Sequence, residues 1–167
     1  TWYSADPQRL ARQVDAYLQA AVLPPLPGEV IGLVSPHAGH RYSGRTAGYA
    51  FRAVQGQHFD LVAVISPLHG FFPGDLLTTA HKAYGTPLAN VWVDQPAVEA
   101  LHETLSQISN KKLDYISNDT EHSLEIVLPF LQRALDGEFQ LLPVMVRSQS
   151  KATARALGEA LGRVLAG

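Results

Sequence analysis

The 167-residue chain has the length of one domain, and 46% hydrophobic against 17% charged residues indicates a folded core. Its formal net charge of -2 gives no electrostatic basis for binding nucleic acid or an anionic membrane, and the absence of cysteine excludes disulfides and thiolate metal sites within this stretch. No apolar run approaches the roughly 20 residues that span a bilayer. The first residues lack the basic start and apolar stretch of a signal peptide. We therefore expect a cytoplasmic protein with no nucleic-acid or membrane partner.

Apolar residues at helical spacing predict five helices. Asp6 and Pro7 mark the start of the first as N-cap and first-turn proline. Asn118–Glu121 is a start signal for the fourth, and Pro129 inside that helix is expected to kink or divide it. The predicted helices are 7–22, 44–55, 96–107, the segment from that start signal to Leu135, and 150–165.

Short, continuous apolar runs predict buried strands at Val30–Val34, Leu61–Ile65 and Phe139–Val146. Pro143 restricts the last of these to a sheet edge or a bulge. The extended pieces near 77–84 and 91–93 are predicted to form a hairpin.

The alternation of helices and buried strands predicts a single α/β domain over residues 1–167. Its sheet is expected to be mostly parallel, with helices on both faces. A crossover helix is normally followed by another strand, so the pattern also predicts that the domain is incomplete at its C-terminal end.

Two histidines follow predicted strands directly. His37 comes after the strand at 30–34 and His69 after the strand at 61–65, each in a loop that begins with Ser-Pro. Ligands of parallel α/β sheets bind outside the carboxyl ends of the strands, and neutral imidazole is a good ligand for iron, copper and zinc. The two residues are therefore candidate metal ligands. The alternative is that both are ordinary loop histidines bonded to nearby backbone, since their spacing is no metal signature.

The segment from Glu121 to Glu125 supports two interpretations. In one, Thr120 caps a helix whose first turn carries the carboxylates, where the helix dipole favours them. In the other, His122 or Glu125 faces the metal cleft as a proton-transfer group or as the partner of a ligating histidine. Glu125 is the predicted acceptor for the second ring N–H of such a histidine.

The loop 40–45 places a phenol and two guanidinium groups beside His37. Arg41 or Arg45 would hold an anionic substrate, unless both are ordinary solvated arginines. Ser43 has an alternative role as a helix cap. The glycines form no dinucleotide fingerprint, and no P-loop lysine is present.

Three segments together resemble the Memo family, which is called AmmeMemoRadiSam system protein B in prokaryotes. They are residues 35–44, 65–69 and 121–130, and Trp2-Tyr3 matches the family's Ser-Trp-Tyr start. Their order and spacing agree over essentially the whole chain. The resemblance implies the α/β fold of class III extradiol ring-cleaving dioxygenases.

The resemblance also implies roles for individual residues. His37 and His69 match two metal-binding positions of the family. Trp2 and Tyr42 match aromatic positions that line the same pocket, and Arg41 beside Tyr42 is a further substrate-binding candidate. The segment that contains the catalytic candidates His122 and Glu125 matches one near the site.

In the related ring-cleaving enzymes two histidines and a carboxylate hold ferrous iron, and in Memo proteins a cysteine replaces the carboxylate. The resemblance therefore implies iron(II) or copper, with the third ligand absent from this chain. The family's Asp-x-Ser-His loop and its cysteine lie further toward the C-terminus, which again predicts an incomplete domain. Because stable sites need three or four protein ligands, two histidines alone predict weak affinity.

This sequence also departs from the family at residues 66–69. They read Ser-Pro-Leu-His, where the family more often has Gly-Pro-Ser-His. The change removes a hydroxyl beside a predicted metal ligand.

The resulting functional prediction is a non-haem metal pocket with redox or dioxygenase-like chemistry on a small substrate. The alternative is a non-catalytic module that binds a peptide or an anion in the same cleft, in line with the phosphopeptide binding associated with eukaryotic members of the family. A metal-dependent hydrolase is a third possibility, since the same ligands would support it.

Overall fold

The computed structural model describes residues 2–118 and 120–166. Its helices are α1 (Pro7–Ala20), α2 (His40–Arg52), α3 (Gln95–Ile108), α4 (Leu128–Ala134) and α5 (Lys151–Ala166). Its strands are β1 (Leu61–Pro67), β2 (Leu76–Thr79), β3 (Ala83–Gly85), β4 (Asn90–Trp92), β5 (Leu113–Ile116) and β6 (Gln140–Val146).

The described residues form two compact units. The helical unit takes its residues from Thr1–Asp60, Tyr84–Val91 and Glu125–Phe139, and the α/β unit takes its residues from Leu61–Ala83, Trp92–Leu124 and Gln140–Gly167. The assignment of the whole chain to one domain stays a prediction.

In the helical unit, α1, α2 and α4 pack against one another. Residues Leu10, Val14 and Leu18 of α1 are fully buried, as the helical spacing predicted. The ring of Phe130 in α4 stacks on Phe51 in α2, with 5.2 Å between their centroids.

Two glycines allow α1 and α2 to approach closely. A Cβ at Gly44 would lie 2.4 Å from the ring of Tyr17, and one at Gly48 would lie 2.5 Å from the Tyr17 carbonyl oxygen. The Tyr17 hydroxyl donates to the carbonyl of His40 at 3.0 Å. This contact fixes the first residue of α2.

The α/β unit contains a four-stranded sheet in the order β1-β6-β2-β5. The β1–β6 and β2–β5 pairs are parallel, and the β2–β6 pair is antiparallel. Helix α3 packs against α5 and contacts β5 and β6. The predicted α/β fold with a mostly parallel sheet and flanking helices is confirmed.

The strand predicted at Val30–Val34 is wrong. The structure has no strand there, and Ile31 and Val34 are 96% and 95% exposed. An apolar run becomes a strand only when a neighbouring strand satisfies its backbone groups, and this run pairs with none of the described residues. The loop of His37 therefore does not follow a strand.

Helix α2 begins at His40 rather than at residue 44. The sequence pattern treats Gly39 and Gly44 as loop residues, but Gly44 lies inside the helix, at a position where the ring of Tyr17 leaves no room for a Cβ. As a result, Arg41 and Tyr42 lie in the first turn of α2 instead of in a loop.

The hairpin predicted from 77–84 and 91–93 is only partly present. β3 and β4 form a two-stranded sheet, but β2 lies in the main sheet between β6 and β5. The sequence reading missed β5, in which the charged Asp114 and the half-exposed Tyr115 interrupt the apolar pattern. That pattern is typical of an edge strand.

The predicted helix from the start signal at 118–121 to Leu135 begins later. Asp119 lies outside the described residues, Thr120 caps no helix, and a short 3₁₀ turn at Glu125–Val127 precedes α4. Pro129 lies in the first turn of α4, where its missing N–H is not needed, so it neither kinks nor divides the helix.

Pro143 lies in β6, an interior strand, and so not at a sheet edge, which was one of the two predicted positions. The antiparallel ladder with β2 reaches only Met145 and Val146. Beyond the ladder, the Pro143 carbonyl accepts a hydrogen bond from the Thr78 hydroxyl oxygen Oγ1 at 2.8 Å. At this point a side-chain hydrogen bond takes the place of a backbone hydrogen bond between β2 and β6. None of the helices within residues 2–118 and 120–166 is long and apolar enough to cross a membrane.

Candidate metal site

His69 lies at the carboxyl end of β1. The parallel ladder pairs Pro67 with Val146, and the Leu68 N–H extends it by donating to the Val146 carbonyl at 3.0 Å. The Leu68 side chain is buried in a cluster with Leu77 and Met145. The backbone is therefore anchored immediately before His69, as expected for a ligand position at the end of a parallel strand.

Glu121 holds His69 at two points. Its Oε2 accepts from the His69 backbone N–H at 2.7 Å and lies 2.9 Å from the ring Nδ1. Its Oε1 accepts from the backbone N–H groups of His122 and Ser123 at 2.8 and 2.9 Å. The Glu121 side chain is only 4% exposed, whereas that of His69 is 60% exposed.

These contacts determine the charge of Glu121. Burial raises its pKa, but the backbone N–H groups of His69, Ser123 and His122 and the His69 ring outweigh burial and bring the pKa down to about 2. Glu121 is therefore an anion at neutral pH, and an ionised carboxylate only accepts hydrogen bonds.

The charge of Glu121 fixes the tautomer of His69. Because the carboxylate only accepts, Nδ1 carries the proton and the lone pair of the neutral ring resides on Nε2. Metal-ligating histidines have this arrangement, in which a carboxylate accepts the second ring N–H and orients the ring.

Ser123 ties the Glu121 segment to the end of β1. Its Oγ donates to the Pro67 carbonyl at 2.7 Å, and the residue is almost completely buried. His122 is half-buried in the same segment, and its Nδ1 lies 3.2 Å from the Thr120 carbonyl. A carbonyl only accepts, so His122 also carries its lone pair on Nε2.

In the helical unit, four of the predicted site residues lie near the start of α2. His37 is half-buried and precedes Gly39, the N-cap of α2. A Cβ at Gly39 would lie 3.6 Å from the ring of Tyr42 and 3.7 Å from the ring of Trp2, so the two aromatic side chains flank this glycine. Arg41 is exposed in the same helical turn. Ser43 does not cap α2, since its Oγ donates to the Ala38 carbonyl.

Glu125 has a partner in the helical unit. The Tyr3 hydroxyl donates to its carboxylate. Burial raises the pKa of Tyr3, and the bond to the Glu125 carboxylate and its negative charge raise it further, so the phenol stays a donor. The sequence pointed to Glu125 as the carboxylate partner of a ligating histidine, but the residue that holds His69 is Glu121. The predicted catalytic role of Glu125 stays a prediction.

Glu121 could have been considered from its place in the sequence. It is the carboxylate that directly precedes His122 and Ser123 in the segment that resembles the family. Its partner lies 52 positions earlier in the chain, and no local pattern encodes such a contact.

His69 and Glu121 together have the arrangement of one metal-ligating histidine and the carboxylate that orients it. Within residues 2–118 and 120–166, no group of three or more His, Cys, Asp or Glu side chains is arranged to hold a metal ion. His69 supplies an imidazole ring, which in its neutral form suits iron and copper, and further ligands would be needed to complete a site.

Comparison with known proteins identifies the family. A family model described as "Memo-like protein" matches residues 1–166. The chain belongs to the Memo-like family. The family predicted from the three sequence segments is thereby confirmed, and with it the extradiol-dioxygenase-like α/β fold.

Individual Memo-like relatives agree. The chain is 37% identical over 149 residues to a MEMO1 family protein of Thermotoga maritima, which covers 84% of this chain and 52% of that protein. It is 33% identical over 135 residues to a MEMO1 family protein of Nitrosopumilus maritimus, covering 81% of this chain and 48% of that protein. It is 35% identical over 150 residues to the protein memo-1 homolog of Caenorhabditis elegans, covering 89% of this chain and 41% of that protein. The chain thus spans about half the length of these relatives.

Proposed function

We propose that this Memo-like chain contributes His69 and His37 to a non-haem metal pocket that binds iron(II) or copper and acts on a small substrate by redox or dioxygenase-like chemistry. The observation that carries the proposal is the contact between His69 and Glu121. A 60% exposed imidazole is held at its Nδ1 by a buried, ionised carboxylate.

Glu121 has the role of a positioning residue. It fixes the tautomer and the direction of the His69 ring, and its negative charge makes the imidazole a stronger donor to a cation. When bound, iron(II) or copper supplies redox chemistry and Lewis acidity.

The remaining residues have proposed roles as well. His122 would accept a proton from the substrate at Nε2, because its Nδ1 faces the Thr120 carbonyl. Trp2 and Tyr42 would provide aromatic walls for the substrate, since both flank Gly39 beside the loop of His37.

The test is metal loading followed by oxygen uptake. Because two histidines alone predict weak affinity, the purified protein is equilibrated with excess iron(II) by dialysis without oxygen, and its bound iron is measured by mass spectrometry. Oxygen uptake is then recorded in the same solution with catechol as the probe. We expect bound iron and iron-dependent uptake in the wild type, and a large decrease of both in His37→Ala. Bound iron that is unchanged in His37→Ala would remove His37 from the proposal.

A binding module is the second candidate, favoured by the exposed pair Arg41 and Tyr42 in the first turn of α2. A phosphotyrosine peptide is the suitable probe, since its phosphate would pair with the guanidinium. Affinity that falls in Arg41→Gln but not in Arg52→Gln, an exposed change at the other end of α2, would favour this candidate. Equal affinity of the two variants would count against it.

A further inference from the structure

A polar cleft opens at the carboxyl end of β6. Its volume is about 520 Å³, within the usual range for small-molecule sites. It is lined by two segments, Phe72–Asp75 and Arg147–Gln149. None of these residues was identified as functional from the sequence.

The charges around the cleft favour an anion. Arg147 is exposed and forms no ion pair within the described part of the chain, and its guanidinium carries a positive charge. The other charged residue of the lining, Asp75, is ion-paired with Lys111. Asp114, whose carboxylate lies against Gly74 of the lining, is ion-paired with Lys112. The positive charge of Arg147 is therefore left uncompensated by the lining.

The backbone on both sides of the cleft is fixed. The N–H groups of Arg147 and Ser148 donate to the Asp75 carbonyl at 2.9 and 3.2 Å. Phe72 packs on the buried cluster of Leu68, Leu77 and Met145 and gives the cleft one apolar wall. A guanidinium and an apolar ring in the lining of one cleft suit a carboxylate attached to a flat apolar body.

The cleft lies at the same end of the sheet as His69. β1 and β6 are adjacent and parallel, and Pro67 pairs with Val146 in register. Arg147 therefore comes one residue after the paired end of β6, and His69 comes two residues after the paired end of β1. The two residues therefore follow neighbouring strands at the same, carboxyl-terminal end of the sheet.

We propose that this cleft binds small aromatic carboxylic acids, with Arg147 holding the carboxylate and Phe72 contacting the ring. Carboxylate binding stands independently of any metal. The further role, in which Arg147 anchors the acid so that its ring lies toward His69, rests on the proposed function.

The experiment titrates metal-free protein with benzoate and, as its neutral counterpart, benzamide, and follows amide shifts by NMR. We expect saturable shifts for benzoate that centre on Gly74 and Ser148, with a dissociation constant on the order of 1 mM. Benzamide should bind about tenfold more weakly, because it lacks the charge that the guanidinium recognises.

Three variants decide the role of Arg147. Arg147→Gln should weaken benzoate binding about tenfold, and Arg147→Lys should fall between it and the wild type because a lysine keeps the charge but not the fork. Arg155→Gln, an equal charge change at an exposed position of α5, should bind like the wild type. Both positions are exposed, and circular dichroism checks that each variant is folded.

The site is disproved if benzoate does not saturate, if its shifts centre elsewhere, or if Arg147→Gln binds as the wild type does. Because the titration uses no metal, its failure leaves the metal proposal intact. Conversely, benzoate binding by a protein that retains no iron would keep the site and remove its role as a substrate anchor.

Discussion

Glu121 Oε2 accepts from the backbone N–H of His69 at 2.7 Å and from its ring Nδ1 at 2.9 Å. The two contacts fix both the position and the rotation of the imidazole. Burial of the carboxylate raises the pKa of Glu121, but the hydrogen bonds to it lower the pKa to about 2 and keep the group ionised. The orientation of His69 is therefore set by the protein before any ligand binds.

Glu121→Gln should weaken metal binding. The amide keeps one acceptor oxygen, but its NH₂ group faces N–H groups that donated hydrogen bonds to the carboxylate. Two donors cannot bond to each other, so the His69 ring loses its fixed orientation. Loss of such a partner lowers metal affinity about 10- to 100-fold, and we expect the free energy of unfolding to fall by about 2–4 kcal/mol. Cobalt(II) titration and urea denaturation measure the two effects.

Glu125→Gln is the matched control, since Glu125 bonds to Tyr3 and not to His69. Its cobalt affinity should stay within about twofold of the wild type. Equal cobalt affinity of Glu121→Gln and the wild type would show that Glu121 has no orienting role.

Gly48→Ala should destabilise the helical unit. The new Cβ would lie 2.5 Å from the Tyr17 carbonyl oxygen, so α1 and α2 would have to separate. We expect the free energy of unfolding to fall by about 1–3 kcal/mol despite the higher helix propensity of alanine. Thermal or urea unfolding measures the change.

Gly158→Ala in α5 is the control for Gly48→Ala, because a Cβ there would meet no atom within 4 Å. This variant should be more stable than the wild type by about 0.5–1 kcal/mol, through helix propensity alone. The same sign of change in both variants would contradict the close contact between α1 and α2.

His40 predicts a pH-dependent stability. The residue is 2% exposed, its Nε2 donates to the Ile126 carbonyl at 2.8 Å, and its Nδ1 has no hydrogen-bond partner within the described residues. Burial lowers its pKa from 6.5, and the bond to Ile126 only partly opposes this. His40 therefore binds a proton more readily in the unfolded chain than in the folded one. Its contribution to the free energy of unfolding is fully present above pH 6.5 and is lost as the pH falls below 6.5 toward the lower pKa of the folded state.

His40→Gln keeps a donor for Ile126 and removes this titration. The rings nearest to His40 are those of Tyr3 and Phe130, and the carboxylate of Glu125 bonds to Tyr3. From pH 7.5 to 5.5, the unfolding free energy of His40→Gln relative to the wild type should rise, with a slope of at most about 1.4 kcal/mol per pH unit. Urea denaturation across this range measures it.

His58→Gln should shift in the opposite direction. Hydrogen bonds to the Asp136 carbonyl and to Asp60 raise the pKa of His58, so its contribution to stability is present at low pH and is lost as the pH rises through the folded-state pKa. If both variants changed in the same direction with pH, the assignment of the effect to burial of His40 would be wrong.

Tyr3→Phe separates a structural role of Glu125 from a catalytic one. The substitution removes the hydroxyl that donates to the Glu125 carboxylate. We expect the free energy of unfolding to fall by about 1–3 kcal/mol, because a hydrogen bond to a charged group is lost. Iron binding should stay unchanged. A large loss of bound iron in folded Tyr3→Phe would instead link the Tyr3–Glu125 contact to metal binding.

Most helices and two of the strands follow from local pattern. α1, α3, α5, β1 and β6 lie within a few residues of their predicted bounds, because capping residues and continuous apolar runs act locally. The prediction for 30–34 failed because a strand depends on a distant partner, and the apolar run there finds neither a partner strand nor burial.

The candidate site, too, could be predicted from the sequence only in part. The position of His69 after β1 was predicted, since it depends on the order of residues along the chain. The role of Glu121 was not predicted, because its contacts join segments that are far apart in sequence. Arg147 was missed because the sequence shows only an exposed cation after a strand, whereas its significance comes from the cleft beside it.

An anaerobic iron(II) titration of the wild type, His69→Ala and His58→Ala tests most directly whether His69 is a metal ligand. His58 is an exposed histidine of the helical unit and serves as the control. We expect His58→Ala to bind iron as the wild type does and His69→Ala to lose at least about tenfold in affinity. Unchanged iron affinity in His69→Ala would contradict the metal site.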